Sequence, residues 1–335
     1  MYAQQLRRLS AVAMSAMSMM VATVLTVAPV SAQQWRPDKP VEIVVGVGPG
    51  GPQDRTARLI QKAMQELKLS PVPVNVLNRP GGGGAVALAY VAQYTGEGQY
   101  LTLNSPSLLS NHILGRSATA PSDFTPVAVL GAEYVSVTVR ADSPIRSARD
   151  LQDRLRKDPG SLSVVIGTTI GTATHLSFVV AMKAAGVDIR RIKGVVFNSG
   201  AESMSALLGG HIDVVAGAPS NVIPHIRAGK LRMLAIGAPQ RMTGDLADVP
   251  TWRELGVPNT FDVWRGLTGP RGMTAAQVRY WDDALAKVAQ SDEWRRGTEA
   301  VQAANIYMNS TDTAKYWKTE YDEMKTLLTE LGFAK

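Results

Sequence analysis

The feature that most constrains this chain is a repeated order of short apolar run, loop of small residues, and segment with helical periodicity. Val41-Glu42-Ile43-Val44-Val45 is almost continuously apolar, which suits a strand buried on both faces. Residues 46–53 follow as a loop nearly without side chains. Asp54 then opens a segment in which Ala57, Ile60, Ala63, Met64 and Leu67 recur at helical spacing. The order returns with a strand at 72–77, a loop Asn78-Arg79-Pro80-Gly81-Gly82-Gly83-Gly84 and a helix at 85–93. Leu101-Thr102-Leu103 ends in Asn104-Ser105-Pro106-Ser107. It returns again with a strand at 162–166, the loop Gly167-Thr168-Thr169-Ile170-Gly171-Thr172, and a helix at 173–185 stopped by Gly186. Val195-Val196-Phe197 leads into Asn198-Ser199-Gly200 and a helix ending at Gly209-Gly210. Residues 212–216 lead into Gly217-Ala218-Pro219-Ser220 and a last short helix. Strands alternating with helices in this way predict an α/β protein with doubly wound parallel sheets.

Before the first strand stands a segment of another kind. Arg7 and Arg8 precede an uncharged stretch from Ser10 to Gln34, Pro29 interrupts it, and Val30-Ser31-Ala32 puts small residues where a signal peptidase reads. This predicts a secretory signal peptide over 1–32, cleaved after Ala32, and a periplasmic mature protein. A retained membrane anchor is the alternative, disfavoured by the Ser, Thr and Pro content. The residues after Arg7-Arg8 do not complete a twin-arginine pattern.

The remaining chain of about 300 residues is long enough for two units, each with its own core. The sequence contains no cysteine, so neither disulfides nor thiol chemistry contribute. The net charge of +7 includes the two arginines of the leader, and the rest is dispersed without basic runs, which argues against nucleic-acid binding. Without a long linker, the two units are expected to join through short crossing segments near 131–139 and 262–269.

In open α/β sheets, ligands bind beyond the carboxyl ends of the strands. Here those ends carry Gly, Ser, Thr, Asn and Pro, and each following helix offers unpaired N–H groups in its first turn. Several such termini aimed at one place make a neutral pocket that attracts anions, and a carboxylate fits it. Two candidate loops run over 48–54 (Gly48, Pro49, Gly50, Gly51, Pro52, Asp54) and 167–172 (Gly167, Thr168, Thr169, Gly171, Thr172). Further candidates are Ser105, Asn198, Ser199, Gly200 and Ala218. Asp54 either complements its helix dipole or accepts from a ligand, and His175 either packs its helix or touches a ligand.

Gly46-Val47-Gly48-Pro49-Gly50-Gly51 also satisfies the dinucleotide-binding pattern, which requires an acid at the end of the next strand. That strand ends in Asn78, and no nicotinamide cofactor is expected. No catalytic motif is present, and the four histidines lack metal-ligand spacing, so neither catalysis nor a bound metal is expected. Arg79 is expected to anchor its loop to a carboxylate or carbonyl. Trp281, Leu285, Val288, Tyr316, Trp317 and Met324 read as core of C-terminal helices.

Taken together, the landmarks have a familiar order. They are Trp35-Arg36-Pro37-Asp38-Lys39-Pro40, Gly50-Gly51 with Asp54, Asn78-Arg79-Pro80-Gly81, Gly96-Glu97-Gly98, and Asp123-Phe124-Thr125-Pro126-Val127. Leu207-Leu208-Gly209-Gly210-His211-Ile212-Asp213-Val214, His225-Ile226-Arg227-Ala228-Gly229-Lys230-Leu231-Arg232 and Asp248-Val249-Pro250-Thr251 follow. The chain resembles the Bug family, the periplasmic binding proteins of tripartite tricarboxylate transporters. The resemblance implies a type II periplasmic-binding-protein fold of two lobes, 33–134 with 263–335 and 135–262, closing on a small mono- or dicarboxylate. It implies membrane permease subunits as partners, a monomer, no cofactor and no catalysis. A sensor of the same build, or an exported enzyme, are the other readings. The sequence departs from the family at Gly46-Val47-Gly48-Pro49, at Phe197-Asn198-Ser199-Gly200, at Gly217-Ala218 and at Gly96-Glu97-Gly98-Gln99, and three of these four lie at the expected cleft.

Overall fold

The computed structural model describes residues 35–258 and 260–334, so the expected leader lies outside the described residues. Among the described residues, eleven strands form two sheets. The first contains β1 (Val41–Val45), β2 (Val74–Asn78), β3 (Tyr100–Asn104), β4 (Phe124–Tyr134), β10 (Asp262–Pro270) and β11 (Ala304–Met308), in the order β11-β4-β10-β3-β1-β2. The second contains β5 (Ser136–Arg140), β6 (Ser163–Val165), β7 (Lys193–Val195), β8 (Val214–Gly217) and β9 (Leu231–Ile236), in the order β7-β6-β8-β5-β9. The α/β class and doubly wound character follow from the strand–helix alternation.

The sheets are mixed rather than wholly parallel. β1 pairs in parallel with β2 and β3, and β6 with β7 and β8. β10 runs antiparallel to β3 and β4, β11 antiparallel to β4, and β5 antiparallel to β8 and β9. The cause is the crossing of the chain between sheets. β4 leaves the first sheet at Tyr134, β5 enters the second at Ser136, and β10 returns beside β4 in the opposite direction. At the crossing Val135, Gly237 and Phe261 share three main-chain bonds: Val135 N–H to Phe261 O (3.2 Å), Gly237 N–H to Val135 O (2.8 Å) and Phe261 N–H to Gly237 O (3.1 Å). Backbone groups buried there are thereby satisfied where neither sheet continues.

The helices pack as their periodicity predicts, with small boundary shifts. Pro52–Glu66 begins two residues before Asp54, because Gly51 is its N-cap and Pro52 is preset for the first turn. Ala57, Ile60, Ala63 and Met64 are buried, whereas Leu67 lies at the C-cap and is exposed. Trp281, Leu285 and Val288 are fully buried, Trp317 and Met324 are buried, and Tyr316 stands edge-on to Trp264 with ring centroids 6.3 Å apart.

Candidate functional site

A cavity of about 130 Å³ lies between the two sheets, at the carboxyl ends of β1, β3, β6 and β8. Helices Ala85–Ala92, Ala173–Ala184, Gly200–Leu208 and Pro219–Arg227 begin on its wall. Thr172 caps the second of these by accepting from His175 N–H (3.3 Å), and Ser199 caps the third by accepting from Glu202 N–H (3.2 Å). Gly84 and Ala218 cap the other two without a side-chain bond; in the last of these Pro219 has no N–H, and Ser220 N–H donates to a carboxylate, Glu133 Oε2.

Pro52, Ser105, Gly167, Thr168, Thr172, Ser199, Gly200 and Ala218 line this cavity. Gly48, Pro49, Gly50, Gly51, Asp54, Thr169, Gly171, His175 and Asn198 do not reach the wall. Instead, the loop after β1 packs on the turn after β7. Gly48 N–H donates to Asn198 O (3.1 Å), and a Cβ on Gly51 would stand 3.4 Å from Gly200 N. At the rim of the same wall, a Cβ on Gly46 would stand 2.6 Å from Gly84 Cα, so two glycine loops touch through their main chains.

Asp54 turns back into its own loop. It accepts from Gly50 N–H (2.9 Å), Arg58 Nε (3.0 Å) and Asn78 Nδ2 (2.9 Å). Burial pushes its pKa up, but the bonds from Arg58, Gly50 and Asn78 outweigh burial and leave it below the usual value. Asn78, at the place where a dinucleotide fold has its acid, also donates to Val47 O (3.0 Å) and ties the loop to β2. Arg79 departs from expectation. Its guanidinium lies 3.9 Å over the Tyr90 ring, and its Nε has no hydrogen-bond partner, so the contact is cation–π rather than a carboxylate or carbonyl anchor.

His175 is buried behind the cavity. Its Nδ1 accepts from Gly171 N–H (2.9 Å), and its ring lies 5.1 Å from that of Phe333. Burial, helped by the positive charge of Arg116, pushes its pKa down to about 4 from 6.5. A depressed histidine contributes stability that is fully present above the unfolded pKa and lost as pH falls through the folded one. The loss between pH 7 and pH 4 amounts to about 3 kcal/mol. We expect urea midpoints of the wild type to fall more steeply over that range than those of His175→Asn, whose amide oxygen takes the place of Nδ1 and accepts from Gly171. Equal pH slopes for the two proteins would show that His175 does not carry this term.

Two arginines escaped the loop-based reading. Arg265, on β10, lines the cavity and is 6% exposed. Its Nη2 stands 4.0 Å from Glu133 Oε1, its Nη1 donates at 3.4 Å to Trp264 O, and its Nε has no partner. Arg55, one helical turn past Gly51, donates to Gly50 O (2.7 Å), Ser220 Oγ (3.0 Å) and Asn221 Oδ1 (2.8 Å), and so bridges the two sheets' loops. Glu133 Oε2 accepts from Ser220 N–H (3.2 Å).

Two mixed sheets joined by crossing strands, with a cavity at the strand ends between them, define the fold of a periplasmic solute-binding protein. The model of the tripartite tricarboxylate transporter family receptor matches residues 56–333. BugT of Bordetella pertussis is 30% identical over 260 residues, covering 75% of this chain and 76% of that protein. Among solved structures, malate-bound MatC from Rhodopseudomonas palustris is 25% identical with a TM-score of 0.78, covering 87% of this chain and 99% of that one. A ligand-free TctC solute-binding protein from Polaromonas is 26% identical with a TM-score of 0.64, covering 88% and 99%. The chain belongs to the Bug, or TctC, family of tripartite tricarboxylate transporter receptors. No helix among the described residues is long and apolar enough to cross a membrane.

Proposed function

We propose that this protein is an extracytoplasmic receptor that takes one small carboxylate into the cavity between its sheets and presents it to membrane permease subunits. The observation that carries this reading is the convergence of helix N-termini from both sheets on one cavity. MatC, 25% identical and of the same fold, is solved with malate bound. The lobes are 33–134 with 263–335 and 135–262, and the Val135–Gly237–Phe261 crossing is their hinge. Pro52, Ser105, Gly167, Thr168, Thr172, Ser199, Gly200 and Ala218 touch the ligand. Gly48, Pro49, Gly50, Gly51, Asp54, Thr169, Gly171, His175 and Asn198 shape the loops behind them.

The protein acts as a binder and not as an enzyme, as a monomer, after removal of residues 1–32 on export. Uncharged loops suit this role, because dipoles and hydroxyls hold an anion firmly yet release it when the lobes part. The test is a thermal-shift screen of protein recovered from the periplasm, with an N-terminus near Gln33, against small carboxylates and their amides. A ligand at a hundred times its Kd stabilises by about 2.7 kcal/mol. For a chain of about 300 residues that is a rise in Tm of about 4 °C. Amides that shift Tm as much as the acids, or no shift with any acid, would overturn the reading.

A further inference from the structure

Among the described residues lining the cavity, Arg265 alone carries a formal charge. Its surroundings make that charge unusual. The guanidinium has five N–H donors, and in a buried site each needs an acceptor. Here Nε has none, Nη1 makes one long bond to its neighbour's carbonyl at 3.4 Å, and the Glu133 carboxylate stands off at 4.0 Å. Glu133 is meanwhile shared, since its other oxygen accepts from Ser220 N–H. Arg55 brings a second guanidinium to the same Ser220–Asn221 turn. Asp54, hydrogen-bonded by Arg58, Gly50 and Asn78, also attracts Arg55. The charged neighbours of the buried Arg265 are therefore one carboxylate, Glu133, and the half-buried guanidinium of Arg55. The rest of the lining is uncharged, apolar at Leu103, Val165, Met204 and Val215 and polar at the hydroxyl and amide residues of the loops.

We propose that Arg265 is the specificity-determining cation of the site and that the ligand is a compact monocarboxylate with an apolar body. The inference rests on the carboxylate reading above and deepens it. One carboxylate supplies the acceptors that the Arg265 donors lack. A second carboxylate on the same ligand would meet only uncharged groups and no second counter-charge, which is unfavourable in a buried site. Helix N-termini supply partial charges only, and they act on the same carboxylate as Arg265. The size agrees. A cavity of about 150 Å³ accepts benzene, and this one, of about 130 Å³, takes a single ring or a short chain.

Calorimetric titration of the mature protein with matched pairs tests this: hexanoate against adipate, and benzoate against terephthalate. Each pair differs by one carboxylate on the same frame. The monoacid of at least one pair is expected to bind at least tenfold more tightly than its diacid. Arg265→Gln should weaken the monoacid at least a hundredfold. Glu133→Gln, whose amide oxygen still accepts from Ser220, raises the buried charge by one and should move the preference at least tenfold toward the diacid. That variant also stands alone if Arg265→Gln does not fold, because an unchanged preference in it overturns the proposal. A wild-type preference for the diacids, or a folded Arg265→Gln protein binding within threefold of wild type, overturns it as well. In those cases carboxylates still bind and the receptor reading stands. If no carboxylate of either class binds, both fall together.

Discussion

Gly200→Val should reduce ligand binding at least a hundredfold in a protein that is still folded. Gly200 is the first residue of helix Gly200–Leu208, and its φ lies outside the left-handed region, so a branched side chain meets no backbone strain there. The obstacle is space. A Cβ would stand 2.1 Å from Asn221 Nδ2 and 3.2 Å from Pro52 Cδ. Asn221 cannot swing aside freely, because its Oδ1 holds Arg55 at 2.8 Å. Pro52 belongs to the helix that follows β1, while Gly200 and Asn221 belong to helices of the second sheet. The added bulk therefore wedges the two halves apart at the place where Gly48 N–H now meets Asn198 O. Because ligand affinity includes closure, a receptor held open loses the contacts of one whole side. Small-angle scattering should show a variant that stays expanded at ligand concentrations that compact the wild type, with a Tm close to wild type in the absence of ligand. A Gly200→Val protein that compacts and binds normally would show that this contact does not govern closure. Gly50→Val and Gly171→Val are less clean tests. Their φ values of +77° and +83° add backbone strain to any effect on binding.

What the sequence disclosed and what it withheld have physical reasons. The cavity-forming loops were legible because Gly, Ser, Thr and Asn after an apolar run leave a signal at the scale of the chain itself. Trp281, Leu285 and Val288 were legible for the same reason, since helical spacing repeats within a few residues. The antiparallel pairing of β4, β10 and β11 was not, because nothing local to a strand marks the direction of its partner. Their partners lie more than a hundred residues away for β10 against β4. Arg265 was invisible as a site residue. Between Trp264 and Gly266 it belongs to no motif, and its meaning arises only from the pairing that sets β10 beside Glu133 of β4. The loop 48–54 shows the opposite error of scale. Its composition marks it as able to approach something closely; for Gly48 and Gly51 that partner is the Asn198–Gly200 turn, while Pro52 of the same loop lines the cavity. Local sequence reports how near a backbone can come, and only the fold reports to what.

The largest stability effect is expected at Trp281. It lies on helix Ala275–Gln290, which returns to the first sheet after β10 and has no place in the cavity wall. The indole is fully buried, packs edge-on against Tyr280 with centroids 5.1 Å apart, and donates from Nε1 to Gly98 O at 2.8 Å. One turn earlier, Gln277 donates to Gly96 O at 2.9 Å, so the two side chains together fasten the helix to the turn that precedes β3. Trp281→Ala removes the ring, leaves a void that rigid neighbours fill only in part, and strands a buried carbonyl. The cost is about 4 kcal/mol. With an unfolding entropy of about 2.1 cal/mol/K per residue over about 300 residues, that lowers Tm by about 6 °C. Trp281→Phe keeps most of the buried area and loses the bond, costing about 1–1.5 kcal/mol by the same reasoning. Because the site lies elsewhere, both variants should retain wild-type affinity well below their melting temperatures. Calorimetric scans with parallel ligand titrations read both quantities. A Trp281→Ala protein within about 1 °C of wild type would mean that the helix is held by its other contacts, and an affinity loss at low temperature would place Trp281 in the binding machinery after all.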